Sequence, residues 1–150
     1  MSFSVLDHYK GFVLNSFIKK DINQINLLNK ISLIWNNYNK NNFFFKKKKK
    51  KGIYLYGSVG TGKTFLLSLF SQYSKVGKKI HFNHLMNGVH DALNSNTNNN
   101  KLETFIRNLC KDIKIIFIDE LHIFNIVDAL LVKKIFLLLE ENNMFVMTSS

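Results

Sequence analysis

Residues 52–64 read Gly-Ile-Tyr-Leu-Tyr-Gly-Ser-Val-Gly-Thr-Gly-Lys-Thr, and this stretch decides the fold. Its last eight residues match the phosphate-binding P-loop pattern, which is Gly, any four residues, Gly, Lys, and then Ser or Thr. The glycines let successive backbone N–H groups turn inward around phosphates, and the loop then enters a helix N-terminus that favours negative charge. The predicted nucleotide-binding residues are therefore Gly57, Ser58, Val59, Gly60, Thr61, Gly62, Lys63 and Thr64.

The residues on either side of this loop supply the context that a P-loop requires. A short β-prone run, Ile53–Tyr56, precedes it, and apolar residues at helical spacing follow it over Phe65–Phe70. A chance glycine-rich turn would lack this order of strand, loop and helix. In that setting we expect Lys63 to reach the β- and γ-phosphates and Thr64 to hold Mg²⁺ through its hydroxyl group.

A second acidic site follows an apolar run further along the chain. The run Ile115–Ile118 leads into Asp119 and Glu120, which predicts a buried parallel strand with two acids at its carboxyl end, where open α/β sheets bind ligands. An isolated Asp-Glu pair is also common at strand ends and in the first turns of helices. Beside the P-loop we interpret it as a Walker B motif, in which Asp119 supports Mg²⁺ and Glu120 polarises the attacking water. Lys63 and Glu120 are thus the predicted catalytic residues.

The order of predicted elements indicates an α/β fold, a P-loop NTPase with a parallel sheet flanked by helices and right-handed crossovers. We divide the chain into an N-terminal helical segment (1–45), a lysine-rich linker (46–51) and an ATPase core (52–150). After the P-loop helix we predict strands at 79–83 and 144–148, helices at 85–93, 101–110 and 126–140, and an asparagine-rich loop at 94–100.

The N-terminal segment carries one apolar helix face that we expect to pack on the core. The residues that recur at three- and four-residue steps are Ile22, Ile25, Leu28, Ile31, Trp35 and Tyr38. Asp21 and Gln24 resemble a capping box at the start of this helix.

Composition limits the class of protein. The chain has 150 residues, 46% of them hydrophobic, which suits one domain with a buried core and argues against wholesale disorder. No apolar stretch approaches the roughly 20 residues of a membrane span, and no secretory signal is indicated, so a soluble protein is expected. The one cysteine, Cys110, excludes an internal disulfide and a Cys-based metal site, and we interpret it as a small buried apolar residue.

The basic residues allow two interpretations. The formal net charge of +11 comes almost wholly from lysine, and Lys46–Lys51 follows Phe43–Phe45. Aromatic rings beside basic side chains can bind single-stranded nucleic acid, but a solvated linker is the commoner meaning of such a run, and we favour it. His81, His84 and His90 likewise suggest a metal site. They are predicted on a strand, its edge and a helix with no further ligand nearby, so packing or partner contact is favoured.

Three stretches together carry a family resemblance. They are Lys51–Thr64, His81-Phe-Asn-His-Leu-Met-Asn-Gly-Val-His90 and Asp119-Glu-Leu-His-Ile-Phe-Asn-Ile-Val-Asp-Ala-Leu130. The chain resembles the AFG-like ATPases of the AAA type, whose bacterial members are the ZapE cell-division proteins. The P-loop is shared by many ATPases, whereas the other two stretches are more particular to this family. The resemblance extends to Tyr9, Asp21 and Gln24 near the N-terminus and to Thr148-Ser149 near the C-terminus.

The resemblance implies an ATPase whose subunits assemble in homo-oligomeric rings and couple hydrolysis of ATP, with Mg²⁺, to remodelling of protein partners. Bacterial relatives act at the division apparatus, and mitochondrial relatives act at the inner membrane in protein quality control. The expected location is therefore the cytoplasm, peripheral at the inner membrane face, or the mitochondrion in a eukaryote.

Several positions depart from the family pattern. Ser150 stands where the family usually has an asparagine that senses the γ-phosphate, and Leu121 and Asn125 replace the usual phenylalanine and aspartate. The chain stops after the fourth strand, so the fifth strand, the arginine finger and the helical lid are expected beyond it. Arg107, on a predicted helix before the acidic strand, is no substitute. Because an arginine finger contributes about 10³- to 10⁵-fold, this chain alone is expected to hydrolyse ATP poorly.

Two alternatives to an ATPase subunit stay open. The chain could be a truncated nucleotide-binding module that retains the P-loop without turnover. It could also be a helicase-loader-like ATPase that grips single-stranded nucleic acid through Lys46–Lys51, in which case binding would depend strongly on salt.

Overall fold

The structure is a computed structural model that describes residues 5–39, 52–74, 76–94 and 100–150. The predicted lysine-rich linker, 46–51, lies outside the described residues, as does most of the predicted asparagine-rich loop. No helix in these four ranges is long and apolar enough to cross a membrane.

The described residues form six helices and four strands. In chain order they are α1 (Val5–Leu14), α2 (Ile22–Asn39), β1 (Gly52–Leu55), α3 (Lys63–Tyr73), β2 (Gly77–His81), α4 (Phe82–Asn94), α5 (Lys101–Leu109), β3 (Ile115–Asp119), α6 (Ile126–Glu141) and β4 (Phe145–Ser149). The strands make one sheet in the order β1-β4-β3-β2, and every pairing is parallel. The predicted α/β fold with a parallel sheet flanked by helices is confirmed.

Helices cover both faces of the sheet, which explains why β3 and β4 are buried along their whole length. Side chains alternate along a strand, so Ile115 and Phe117 of β3 pack against one cluster while Ile116 and Ile118 pack against the other. The first cluster contains α1, α2 and α3, and the second contains α4, α5 and α6. By the same alternation Asp119 faces the side of the sheet that carries α3.

The N-terminal helices belong to the core on the α3 side. Leu28 and Ile31 of α2 are fully buried there, and Trp35 packs edge-on against Phe145 with ring centroids 5.3 Å apart. Ile22 differs from the sequence expectation, because it is two-thirds exposed at 67%. It is the first residue of α2, where the helix has not yet reached the sheet-facing core.

The largest shift from a predicted boundary is at the start of α4, which was predicted at residue 85 but lies at Phe82. The preceding strand, β2, was predicted at 79–83 and spans Gly77–His81. Phe82, Met86 and Val89 are buried at helical spacing, so burial of one helix face extends α4 back to the end of the strand. His84, predicted at the strand edge, consequently lies in α4.

Candidate nucleotide and magnesium site

The glycine loop, residues 57–64, connects β1 to α3 at the carboxyl end of the sheet. Gly60 and Gly62 have positive φ angles of 84° and 82°, a region that residues with a Cβ rarely adopt. Gly62 is also the N-cap of α3, and its carbonyl group accepts a hydrogen bond from the Leu66 N–H at 2.9 Å. The sequence thus builds a loop that opens a helix N-terminus, the arrangement that binds phosphate groups.

Lys63 folds back onto the loop that precedes it. Its ammonium group donates to the carbonyl oxygens of Gly57 at 2.7 Å and Ser58 at 2.9 Å. Thr61 also donates its hydroxyl hydrogen to the Ser58 carbonyl oxygen, at 3.0 Å. These are hydrogen bonds at an exposed position, so a more strongly attracting phosphate oxygen can replace the carbonyl groups as the partner of Lys63.

Asp119 lies at the end of β3 and is 3% exposed, with a hydrogen-bonding partner on each carboxylate oxygen. Oδ1 accepts hydrogen bonds from the hydroxyl groups of Thr64 at 3.2 Å and Ser149 at 2.5 Å. Oδ2 lies 2.9 Å from the ammonium nitrogen of Lys79. Strands β2, β3 and β4 and helix α3 therefore converge on one carboxylate.

The surroundings of Asp119 favour its charged form. Burial raises the pKa of the carboxyl group, but the hydrogen bonds from Ser149 and Lys79 and the positive charge of Lys79 lower it by more. Thr64 contributes in the same direction, and the net pKa of Asp119 lies below its ordinary value of 3.8. The carboxylate is thus ionised at neutral pH.

Glu120 has an unusual backbone conformation directly after β3. Its φ angle is 57°, in the left-handed region that residues other than glycine seldom occupy. Ser149 holds the backbone here, because its hydroxyl oxygen accepts from the Glu120 N–H at 3.4 Å and its carbonyl oxygen from the Leu121 N–H at 2.7 Å. The Glu120 carboxylate lies 2.9 Å from Nε2 of His81. Strained backbone of this kind is concentrated at functional sites.

The histidines do not form one cluster. His81 contacts Glu120, whereas His90 lies on α4 with its Nε2 3.8 Å from Asp128. The ring centroids of His81 and His84 are 6.0 Å apart.

Two of the positions that depart from the family pattern, Ser150 and Asn125, make side-chain hydrogen bonds. The hydroxyl groups of Ser150 and Tyr54 form a hydrogen bond of 2.6 Å, which ties Ser150 to β1. Asn125 is the N-cap of α6, and its side chain accepts a hydrogen bond from the Asp128 N–H at 2.8 Å. Arg107 is exposed in the last turn of α5.

A contact from the N-terminal helices reaches the glycine loop. The Asp21 side chain caps α2 by accepting from the N–H groups of Asn23 at 2.7 Å and Gln24 at 3.3 Å. Gln24 does not complete the predicted capping box. Its side-chain amide instead donates to the Thr61 carbonyl oxygen at 3.2 Å.

The residues present suit Mg²⁺. The ion prefers oxygen ligands and binds in nucleotide sites through one or two carboxylates together with substrate phosphates. The hydroxyl of Thr64 and the carboxylate of Asp119 are such donors, and they already touch each other beside the loop. These two residues would hold the ion, and Glu120 directly follows Asp119 in the chain.

Lys79, Ser149, His81 and Gln24 are the site contacts that sequence reasoning missed. Alternation along β2 could have indicated Lys79 once β2 was known to pair with β3. The other three depend on which strands and helices become neighbours.

Comparison with known proteins identifies the family. A model of the AFG1-like ATPase family matches residues 14–150. The chain is also similar to Lactation elevated protein 1 homolog B of Danio rerio, 29% identical over 100 residues that cover 57% of this chain and 20% of the relative. Uncharacterized protein C115.02c of Schizosaccharomyces pombe is 35% identical over 97 residues, 57% of this chain and 21% of that protein. The matched region thus spans about a fifth of each relative's length. The family model covers almost the whole of this chain, and the chain therefore belongs to the AFG1-like ATPase family.

Proposed function

We propose that this chain is an ATP-binding and ATP-hydrolysing subunit of the AAA type. One observation carries the proposal: the Thr64 hydroxyl group donates to Asp119 at 3.2 Å across 55 residues of sequence. This hydrogen bond joins the loop that would hold the phosphates to the carboxylate that would support Mg²⁺. The family match supports the same reaction class.

Each side chain of the site has a role in this proposal. The loop backbone and Lys63 bind the β- and γ-phosphates, while Thr64 and Asp119 bind Mg²⁺. Glu120 orients and polarises the attacking water, and His81 holds the Glu120 carboxylate at the edge of the sheet. Mg²⁺ would neutralise the negative charge that develops on the phosphate oxygens.

The proposed function extends to protein partners. Exposed apolar side chains lie between the end of β3 and the second turn of α6. They are Ile123, Phe124, Ile126, Val127 and Leu130. Exposed apolar side chains that are grouped in one segment are typical of surfaces that contact other proteins. We infer that this segment, which begins three residues after Glu120, couples hydrolysis to a neighbouring subunit or a client. In this proposal the chain remodels protein partners as the ZapE proteins do at the division apparatus, and it acts at the inner membrane face.

Glu120→Gln tests the enzymatic part of the proposal. Binding of mant-ATP, a fluorescent ATP analogue, should persist, because the loop is unchanged, while phosphate release should fall to background. Phosphate release by the variant at the wild-type rate would refute the role of Glu120. Binding by the wild type with no phosphate release from either protein would favour the nucleotide-binding module without turnover.

Assembly is tested separately by light scattering with and without ATP. A nucleotide-dependent increase in mass would support a ring, and replacing Phe124 with serine should weaken it. A strict monomer in both states would count against a working ring.

A further inference from the structure

The ammonium group of Lys79 links two elements to the Asp119 carboxylate. Its nitrogen lies 2.9 Å from Asp119 Oδ2 and donates to the Ser68 hydroxyl oxygen at 2.6 Å. Ser68 lies in α3 four residues after Thr64, which is about one helical turn. One lysine of β2 therefore connects the helix that follows the glycine loop with the carboxylate at the end of β3.

The register of β2 and β3 explains why this lysine, and not its neighbour, reaches the site. Lys79 pairs with Phe117 and Lys78 pairs with Ile116. Phe117 packs on the α3 side of the sheet and Ile116 on the opposite side. Since successive side chains point to opposite faces, Lys79 shares a face with Asp119 and Lys78 does not.

The contacts of Asp119 divide between its two oxygens. Thr64 and Ser149 donate to Oδ1, while Lys79 occupies Oδ2. Because Thr64 gives its hydroxyl hydrogen to Oδ1, the lone pairs of the Thr64 oxygen stay available to a cation. Without Lys79 the carboxylate would lose its partner on Oδ2, and at 3% exposure water is a poor replacement.

We propose that Lys79 is a positioning residue for the magnesium site. It fixes the rotation of the Asp119 carboxylate, and through Asp119 it orients the Thr64 hydroxyl group toward the ion. Lys79 itself contacts neither the ion nor the nucleotide. The inference rests on the proposed function, since it assigns a role within the same site. Residues that orient metal ligands typically change metal affinity by about 10- to 100-fold when they are replaced.

The test is a magnesium titration of mant-ATP binding. Lys79→Met keeps the length and the apolar stem of the side chain but removes the ammonium group. Lys78→Met makes the same change one residue away on the opposite face of the strand. We expect the midpoint Mg²⁺ concentration to rise about 10-fold or more in Lys79→Met and to stay at the wild-type value in Lys78→Met. Affinity for mant-ATP in EDTA should change much less.

Two further variants separate positioning from general stability. Lys79→Arg retains a cation that can donate to both partners, so it should recover most of the lost Mg²⁺ affinity, and Ser68→Ala should give a smaller shift than Lys79→Met. A Mg²⁺ midpoint in Lys79→Met equal to or below that of the wild type would overturn the proposal. So would a parallel loss of binding in Mg²⁺ and in EDTA, which would indicate a structural role only. If the wild type bound mant-ATP neither in Mg²⁺ nor in EDTA, both the proposed function and this inference would be refuted.

Discussion

The glycine loop and the Asp119 carboxylate lie side by side, yet they are held in opposite ways. In the loop, Val59 is 99% exposed, and within the described part of the chain the Lys63 ammonium group donates to carbonyl oxygens of the loop itself. Asp119 is 3% exposed, and its carboxylate receives donors from three different elements.

Under the proposed function, this difference assigns different roles in ligand binding to the two regions. Loop contacts are exposed and local, so they can be exchanged for contacts with phosphate at small cost. Asp119 itself is buried, and its contacts come from side chains on α3, β2 and β4. Preorganised groups of this kind avoid the free-energy cost of being ordered when the ligand arrives. Mutations in the loop should therefore affect binding, and mutations around Asp119 should affect stability as well.

Replacing Lys63 with alanine should have the largest effect on the loop side. Hydrogen bonds to charged groups contribute about 1.5–3 kcal/mol, so affinity for ATP should fall by about 100-fold while the melting temperature stays near that of the wild type. Isothermal titration calorimetry measures the affinity, and Lys111→Ala, at an exposed lysine of a different region, is the control. Equal nucleotide affinity in wild type and Lys63→Ala would show that the loop is not the phosphate site.

Replacing Asp119 with asparagine should destabilise the fold and show how much the negative charge of Asp119 contributes to stability. An amide cannot pair with Lys79 on Oδ2 as a carboxylate does, so we expect a loss of about 1–3 kcal/mol in unfolding free energy at pH 7 in EDTA. The pKa of Asp119 is lowered in the folded state, so its stabilising contribution is present above the ordinary value of 3.8 and is lost as pH falls through the folded-state pKa.

The measurement is denaturant unfolding of both proteins from pH 7 to pH 3. The stability difference between wild type and Asp119→Asn should shrink on acidification. A difference that is constant over this range would mean that the charge of Asp119 does not stabilise the fold.

The contrast between the two regions also explains what could be predicted from sequence. The loop is local, since its glycines, Lys63 and Thr64 lie within eight consecutive residues that any reader of the chain can recognise. The run at Ile115–Ile118 likewise predicts a buried strand, because it is short and consists of β-branched and aromatic residues.

The surroundings of Asp119 could not be predicted in this way. Ser149 becomes a neighbour of Asp119 only because β4 inserts between β1 and β3, an order that does not follow the sequence. Lys79 requires the register of β2 against β3. Gln24 was predicted to complete a cap within its own helix, but packing of α2 on the core brings its amide to Thr61 instead.

A smaller effect is expected from Ser149→Ala, which tests whether the carboxylate side depends on contacts between strands. The variant removes the donor to Asp119 Oδ1 and the acceptor for the Glu120 N–H. Loss of a buried hydrogen bond should lower the unfolding free energy by about 1 kcal/mol, measured by urea denaturation. Ser150→Ala is the matched control, because its hydroxyl group bonds to Tyr54 at an exposed position. Equal destabilisation by Ser149→Ala and Ser150→Ala would contradict the expectation that the buried hydrogen bond of Ser149 stabilises the fold more than the exposed one of Ser150.

The smallest effect is expected at Gln24. Its side-chain amide donates a hydrogen bond from α2 to the backbone of the glycine loop. Gln24→Ala leaves the capping carboxylate of Asp21 in place, so the helix should keep its stability. The loop loses a single exposed hydrogen bond at Thr61, which should weaken ATP binding about two- to fivefold. Gln72→Ala removes the same kind of side chain from an exposed site near the other end of α3 and should leave affinity unchanged. If Gln24→Ala lowered the melting temperature and left affinity at the wild-type value, the loop would be independent of α2, and the contrast between a loosely held loop and a fixed carboxylate would be sharper than the contacts indicate.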